Sequence, residues 1–96
     1  MRPYECMIIL DPALEEEQLN GVVERLSSVI TSNGGHVEKT ENWGKRRLAY
    51  EIKGRDEGIY TLLHFKAGHA ATQELERIMK ITDGVVRYLL VRKDED

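Results

Sequence analysis

The sequence predicts one α+β domain with the element order βαββαβ, and three observations lead to this prediction. Two stretches carry apolar residues at helical spacings of three and four, and four stretches carry the two-residue alternation of strands. The first and third of these strands are apolar on both faces, which is typical of strands inside a sheet. A short segment bounded by Gly54 and Gly58 joins the second strand to the third, which favours a β-hairpin.

Residues that interrupt regular structure set the boundaries. The chain is predicted to form strand Tyr4–Leu10, helix Leu14–Ser32, strand His36–Lys53, strand Ile59–Lys66, helix Ala70–Lys80 and strand Val85–Val91. Asp11 and Pro12 end the first strand, because proline has no N–H for the ladder and aspartate favours a turn. The segment Asn33-Gly34-Gly35 ends the first helix with residues that tolerate positive φ.

The second strand should contain an irregularity. Val37 has an odd number and Leu48 an even one, so in an unbroken strand their side chains would point to opposite faces. For both to be buried, the side chains must change face between them, and Gly44 is the residue where a bulge costs least. We expect this bulge to direct Lys45–Arg47 outwards, although an ordinary solvated turn with surface cations is the alternative. The apolar alternation that follows predicts that Leu48 and Tyr50 are buried.

This element order is that of the ferredoxin-like fold, an antiparallel four-stranded sheet of order 4-1-3-2 with two helices on one face. The first and third strands are then central, in agreement with their apolar faces. The opposite face would carry six large apolar side chains, which is more than a monomer normally exposes. We therefore expect a partner-binding face that consists of Met7, Ile9, Tyr60, Leu62, Leu89 and Val91.

The composition favours a non-enzymatic domain that occupies residues 1–96, with a short charged tail at 92–96. The chain is 41% apolar and 32% charged, and no apolar run approaches a membrane-spanning length. The single cysteine, Cys6, forms no internal disulfide and fits a reducing compartment. The histidines lack metal-ligand spacing and no phosphate loop is present, so we expect no catalytic residue, metal, cofactor or small-molecule substrate, and no membrane association.

The distribution of charge is more informative than its sum. A net charge of −3 argues against independent binding to nucleic acid. Most carboxylates, however, fall on the first helix, the hairpin connection and the tail, and a domain with segregated charge can contact phosphates locally. Scattered, solvated cations are the alternative. The expected RNA-binding residues are Arg2, Lys45, Arg46, Arg47, Arg87, Arg92 and Lys93.

Several segments closely resemble the bacterial small-subunit ribosomal protein six family. They are Met1–Glu5, Leu10–Pro12, Val37–Lys39 and, most specifically, Trp43–Tyr50. The similarity runs without evident gaps from Met1 to about Lys93. A glutamate follows Tyr50 where relatives often have proline, and the C-terminal tail is short.

The resemblance implies a structural, cytoplasmic protein of the small ribosomal subunit that takes part in translation. It also implies binding to the central domain of the small-subunit ribosomal RNA, jointly with ribosomal protein eighteen as a heterodimer. Such a partner would supply positive charge and cover the apolar face. The alternative is a ligand-binding or regulatory module of the same fold that self-associates through its open sheet.

Overall fold

The computed structural model describes residues 1–52 and 54–93, and it confirms the predicted fold class. The elements are β1 (Arg2–Leu10), α1 (Glu16–Ser32), β2 (His36–Ile52), β3 (Arg55–Ala67), α2 (His69–Ile81) and β4 (Val85–Arg92). All neighbouring strands pair antiparallel in the order β2-β3-β1-β4, which is the predicted order read from the other edge.

The elements are longer at several ends than the sequence predicts. The clearest difference is at the hairpin, where β3 already begins at Arg55 and Arg55 pairs with Ile52. Gly58, predicted in the connection, therefore lies within β3 and is buried beside Ile9. Lys53, the predicted end of the second strand, and residues 94–96 of the tail lie outside the described residues. Neither helix in the described part of the chain is long and apolar enough to cross a membrane.

The main core lies between the two helices and one face of the sheet. Leu26 and Ile30, which carry the apolar stripe of α1, are both 0% exposed, as the spacing predicts. Tyr4 and Phe65 stack across β1 and β3 with ring centroids 5.6 Å apart. The other buried members of this core are Cys6, Ile8, Leu10, Leu63, Ala67, Ala71, Leu75, Ile78, Met79 and Val85.

Cys6 belongs to this core as a small apolar residue. Its Sγ lies 3.8 Å from Sδ of Met79, and the side chain is 0% exposed. Burial raises the pKa of this thiol to about 12, so it stays protonated at neutral pH. A protonated, enclosed thiol is a poor nucleophile, in agreement with its position in an apolar run.

A second, smaller apolar cluster lies on the opposite face of the sheet. Ile9, Leu48 and Val86 are buried there, and Ile52 and Tyr60 pack against them. Leu48 and Ile52 come from the last part of β2, which crosses this face after the pairing with β3 shifts between Arg47 and Ile52. The chain therefore covers part of the face that the helices leave open.

The prediction that Tyr50 is buried is wrong. Its residue surface is 61% exposed, and its hydroxyl accepts a hydrogen bond of 2.5 Å from Nη1 of Arg87. Leu48 is buried as predicted, but in the second cluster. The reason is that the pairing of β2 with β3 shifts between Arg47 and Ile52, where β2 bends. Tyr50 therefore lies at the surface and reaches Arg87 of β4, at the opposite edge of the sheet.

The predicted bulge at Gly44 is confirmed. The pairing of β2 with β3 shifts between Asn42 and Gly44, and Gly44 has φ +78°. Its backbone N–H donates to Oδ1 of Asn42 at 3.0 Å, which fixes the local turn. Lys45–Arg47, which follow directly, are all exposed.

We expect Gly44→Ala to lower the free energy of unfolding by roughly 1–2 kcal/mol, because a Cβ disfavours the left-handed backbone region. Gly21→Ala is the matched control. Gly21 is an exposed residue of α1, and a Cβ there would meet no atom within 4 Å. That control should stabilise the chain by roughly 0.5–1 kcal/mol. Urea denaturation of both variants measures the difference, and equal stability would contradict this account of the bulge.

Candidate nucleic-acid and partner interface

The open face is the face of the sheet that points away from both helices, and pairing arranges its side chains in rows across the strands. One row is apolar and runs from Leu62 of β3 through Met7 of β1 to Leu89 of β4. Exposure rises along this row, from 8% at Leu62 to 61% at Leu89. Val91, two residues further along β4, is 42% exposed. The accessible apolar surface therefore lies along the β4 edge.

The expectation that all six predicted partner residues are uncovered is wrong for two of them. Ile9 is 9% exposed and Leu62 is 8% exposed. Ile9 is covered by the second cluster, and Leu62 lies between Met7 and Glu41 in the paired strands. Met7 and Tyr60 are half-buried. Leu89 and Val91 are thus the predicted partner residues that a protein could contact without rearrangement.

A polar row borders the apolar row. His64 of β3 lies between two carboxylates, with Nε2 at 2.5 Å from Oε2 of Glu41 and Nδ1 at 3.6 Å from Oε1 of Glu5. Nζ of Lys93 lies 3.2 Å from the same Glu5 oxygen. The hydrogen bond with His64, and more weakly one from the Trp43 indole, holds the pKa of Glu41 below its usual range. The apolar surface therefore ends on this side at charged, hydrogen-bonded groups.

The seven predicted RNA-binding residues are all exposed, but they do not form one patch. Pairing places Arg87 opposite Ile9 and Arg92 opposite Tyr4, five residues apart on β1, or roughly 16 Å along a strand. The hairpin cations are Lys45, Arg46, Arg47 and Arg87. The terminal cations are Arg2, Arg92 and Lys93.

Two of the four hairpin cations, Arg46 and Arg87, contact aromatic side chains. Arg87 bonds to the Tyr50 hydroxyl, as described above, and Cζ of Arg46 lies 5.1 Å from the centroid of the Trp43 ring. This is the range of cation–π attraction. Neither aromatic residue was among the predicted site residues. The signal that could have pointed to Trp43 is the position of the only tryptophan two residues before three successive cations, with Gly44 between them.

An ion pair fixes the turn end of the β2–β3 hairpin. Nη2 of Arg55, at the start of β3, donates to Oδ2 of Asp11 at 2.6 Å. The backbone N–H of Ala13 donates to Oδ1 of the same residue, and the N–H of Asp11 donates to the carbonyl of Gly84, each at 2.9 Å. Asp11 therefore connects the end of β1, the hairpin and the turn before β4. The sequence predicts only its turn, since no spacing rule relates positions 11 and 55.

Metal-ligating side chains do not converge in the described part of the chain, where no group of three or more His, Cys, Asp or Glu residues could hold an ion. The histidine in the polar row is instead engaged by carboxylates. This face offers apolar contact along β4 and cationic contact around the hairpin.

Comparisons with known proteins show the family to which this chain belongs. The family model for ribosomal protein S6 matches residues 3–92 of the chain. The chain belongs to the ribosomal protein S6 family. Members of this family are structural, non-catalytic proteins of the small ribosomal subunit and act in the cytoplasm as part of the translation machinery. The chain accordingly associates with the small subunit and its RNA, and the alternative of a self-associating ligand-binding module is not favoured.

Individual relatives support this family assignment over the whole chain. The small ribosomal subunit protein bS6 of Exiguobacterium sibiricum is 53% identical over 95 residues, with 99% of each chain covered. The protein of the same name from Heliobacterium modesticaldum is 50% identical over 95 residues, again with 99% of each chain covered. The crystal structure of 30S ribosomal protein S6 from Thermotoga maritima superposes with a TM-score of 0.91 at 36% identity, covering 96% of this chain and 87% of that one.

The Asp11–Arg55 pair predicts a pH-dependent contribution to stability. Its hydrogen bonds hold the pKa of Asp11 below its usual value, so its stabilising effect is complete above the unfolded pKa of about 4. The effect is lost as the pH falls through the lower, folded-state pKa. We expect Asp11→Asn to be less stable than the wild type at pH 7, and this difference to shrink in acid.

Urea denaturation across the pH range measures this difference. Asp83→Asn removes another carboxylate of the same kind from an exposed position and serves as the control. A stability difference for Asp11→Asn that stays constant down to about pH 2 would contradict the assignment.

Proposed function

We propose that this chain binds the central domain of the small-subunit ribosomal RNA jointly with ribosomal protein eighteen, with which it forms a heterodimer. The observation that carries this proposal is the separation of the exposed apolar residues Leu89 and Val91 from the three successive cations Lys45–Arg47. Leu89 and Val91 lie on β4, whereas Lys45–Arg47 lie on β2, at the opposite edge of the sheet. Where all four strands lie side by side, three strand spacings, roughly 14 Å, separate these edges. The end of β2 beyond Arg47 comes closer, since Tyr50 contacts Arg87 of β4.

The apolar edge supports a protein partner. Two large apolar side chains that project from an edge strand, next to half-buried Met7, form a surface that a second protein can dehydrate. The polar row of His64 and its carboxylates limits this surface on one side. A partner that covers Leu89 and Val91 would leave Lys45–Arg47, on β2, accessible to another ligand.

The charge of the chain supports joint rather than independent binding to RNA. Binding to nucleic acid gains most of its affinity from the release of counterions by cations that contact phosphates. A chain of net charge −3 contributes a few well-placed cations but repels phosphate at longer range. A basic partner on the opposite edge would supply the remaining positive charge.

We expect Leu89→Glu to prevent formation of the heterodimer and leave the fold intact, because Leu89 is 61% exposed in the isolated chain. Burying a carboxylate against apolar partner surface is costly. Ile81→Glu is the control, since Ile81 is also 61% exposed but lies on α2. Calorimetric titration with purified ribosomal protein eighteen measures both. Leu62→Glu is less informative, because Leu62 is buried and a charge there also disturbs folding.

Pairing of Leu89→Glu at wild-type affinity would contradict the placement of the partner on the β4 edge. Loss of pairing in both variants would show that added negative charge, rather than position, is responsible.

We expect the double variant Arg46→Ala, Arg47→Ala to retain the heterodimer and to lose RNA affinity. The slope of log affinity against log salt should become shallower by up to about one unit for each phosphate contact removed. Arg25→Ala, Arg77→Ala removes the same charge from the exposed surface of the helices and is the control. Filter binding of the heterodimer to a central-domain transcript at several salt concentrations measures both. Equal slopes for the two double variants would contradict a direct role for the hairpin cations.

A further inference from the structure

Trp43 is the one large aromatic side chain whose exposure the fold does not explain. It is 41% exposed, and among the described residues it belongs to neither apolar cluster. Tryptophan is highly buried on average, since its apolar area is large. Trp43 instead stands at the β2 edge, directly before Gly44 and Lys45–Arg47.

The surrounding residues hold the indole in a defined orientation. The register shift between Asn42 and Gly44 makes Trp43 the additional residue of the bulge. Its Nε1–H donates to Oε1 of Glu41 at 3.4 Å, and the guanidinium of Arg46 lies over one face of the ring. Glu41 is itself bonded to His64. The ring is thus oriented before any ligand arrives, which lowers the entropic cost of binding.

The chemistry around the indole fits RNA better than protein. Unpaired bases stack on aromatic side chains while nearby cations contact the adjoining phosphates. Three successive cations follow Trp43, and the exposed apolar residues Leu89 and Val91 lie on the other edge of the sheet. A protein interface would instead place apolar residues around such an anchor and keep charges at its rim.

We propose that Trp43 is a stacking platform for an unpaired nucleobase of the bound RNA. The base stacks on the indole face opposite Arg46, and the guanidinium contacts the neighbouring phosphate. This inference rests on the proposed function, because it assigns a residue to the same RNA contact. It adds a sequence-tolerant, uncharged contribution to a site whose other members are cations.

We expect Trp43→Ala to lower the affinity of the heterodimer for a central-domain transcript about 5- to 100-fold. Because stacking releases no counterions, the loss should be the same factor at every salt concentration. Trp43→Phe keeps an aromatic face and should recover most of the affinity. Heterodimer affinity and the urea midpoint should stay at wild-type values in both variants, which a purely structural role for the ring would not allow.

A direct probe is available because the chain contains one tryptophan. The chain is labelled with 5-fluorotryptophan and mixed first with unlabelled ribosomal protein eighteen, then with the transcript. The single ¹⁹F resonance should move little on addition of the partner and shift on addition of the RNA. A shift on addition of the partner alone would assign Trp43 to the protein interface and overturn the inference.

The two proposals fail in distinguishable ways. Wild-type RNA affinity in Trp43→Ala overturns the stacking contact and leaves the proposed function standing. A wild-type heterodimer that does not bind the transcript contradicts both.

Discussion

Two helices can cover only one face of a four-stranded sheet, and the way this chain treats its other face determines the rest of the structure. At one end, the last part of β2 crosses the face, and Leu48 closes a small apolar cluster with Ile9 and Val86. On the other side of the row formed by Leu62, Met7 and Leu89, His64 and two glutamates form a polar row. What remains is apolar surface along β4, where Leu89 is 61% exposed. Unburied apolar surface of this kind is a site for a partner.

The irregularities of β2 connect the fold with the chemistry of the surface. The bulge at Gly44 changes the facing of the strand and exposes three cations on an edge strand. The same bulge leaves Trp43 partly exposed at the edge of the sheet. Charged side chains and the interrupted pairing also protect this edge strand from association with other strands. The Asp11–Arg55 pair fixes the turn end of the hairpin that carries these groups. A chain that is acidic overall thereby presents a local cationic surface.

Much of the fold could be predicted from the sequence, because element order and core positions follow from local periodicity. The stripe of Leu26 and Ile30 and the bulge at Gly44 are examples. Alternation shows that one side of a strand is buried, but it does not show against what. The burial of Leu48 in a second cluster, the exposure of Tyr50 and the covering of Ile9 therefore could not be predicted from the sequence. The contact of Arg55 with Asp11 joins residues distant in sequence, and no local pattern encodes it. The division of the cations into two groups depends likewise on strand pairing.

We propose that one sheet carries two separate interfaces, and amide hydrogen exchange tests this separation most directly. The chain would be measured alone, with ribosomal protein eighteen, and with both that protein and a central-domain transcript. The account predicts that the partner alone slows exchange in residues 86–91 and leaves residues 42–47 unchanged, and that RNA then slows exchange in residues 42–47. Protection of residues 42–47 by the partner alone, or their unchanged exchange after RNA binds, would contradict it.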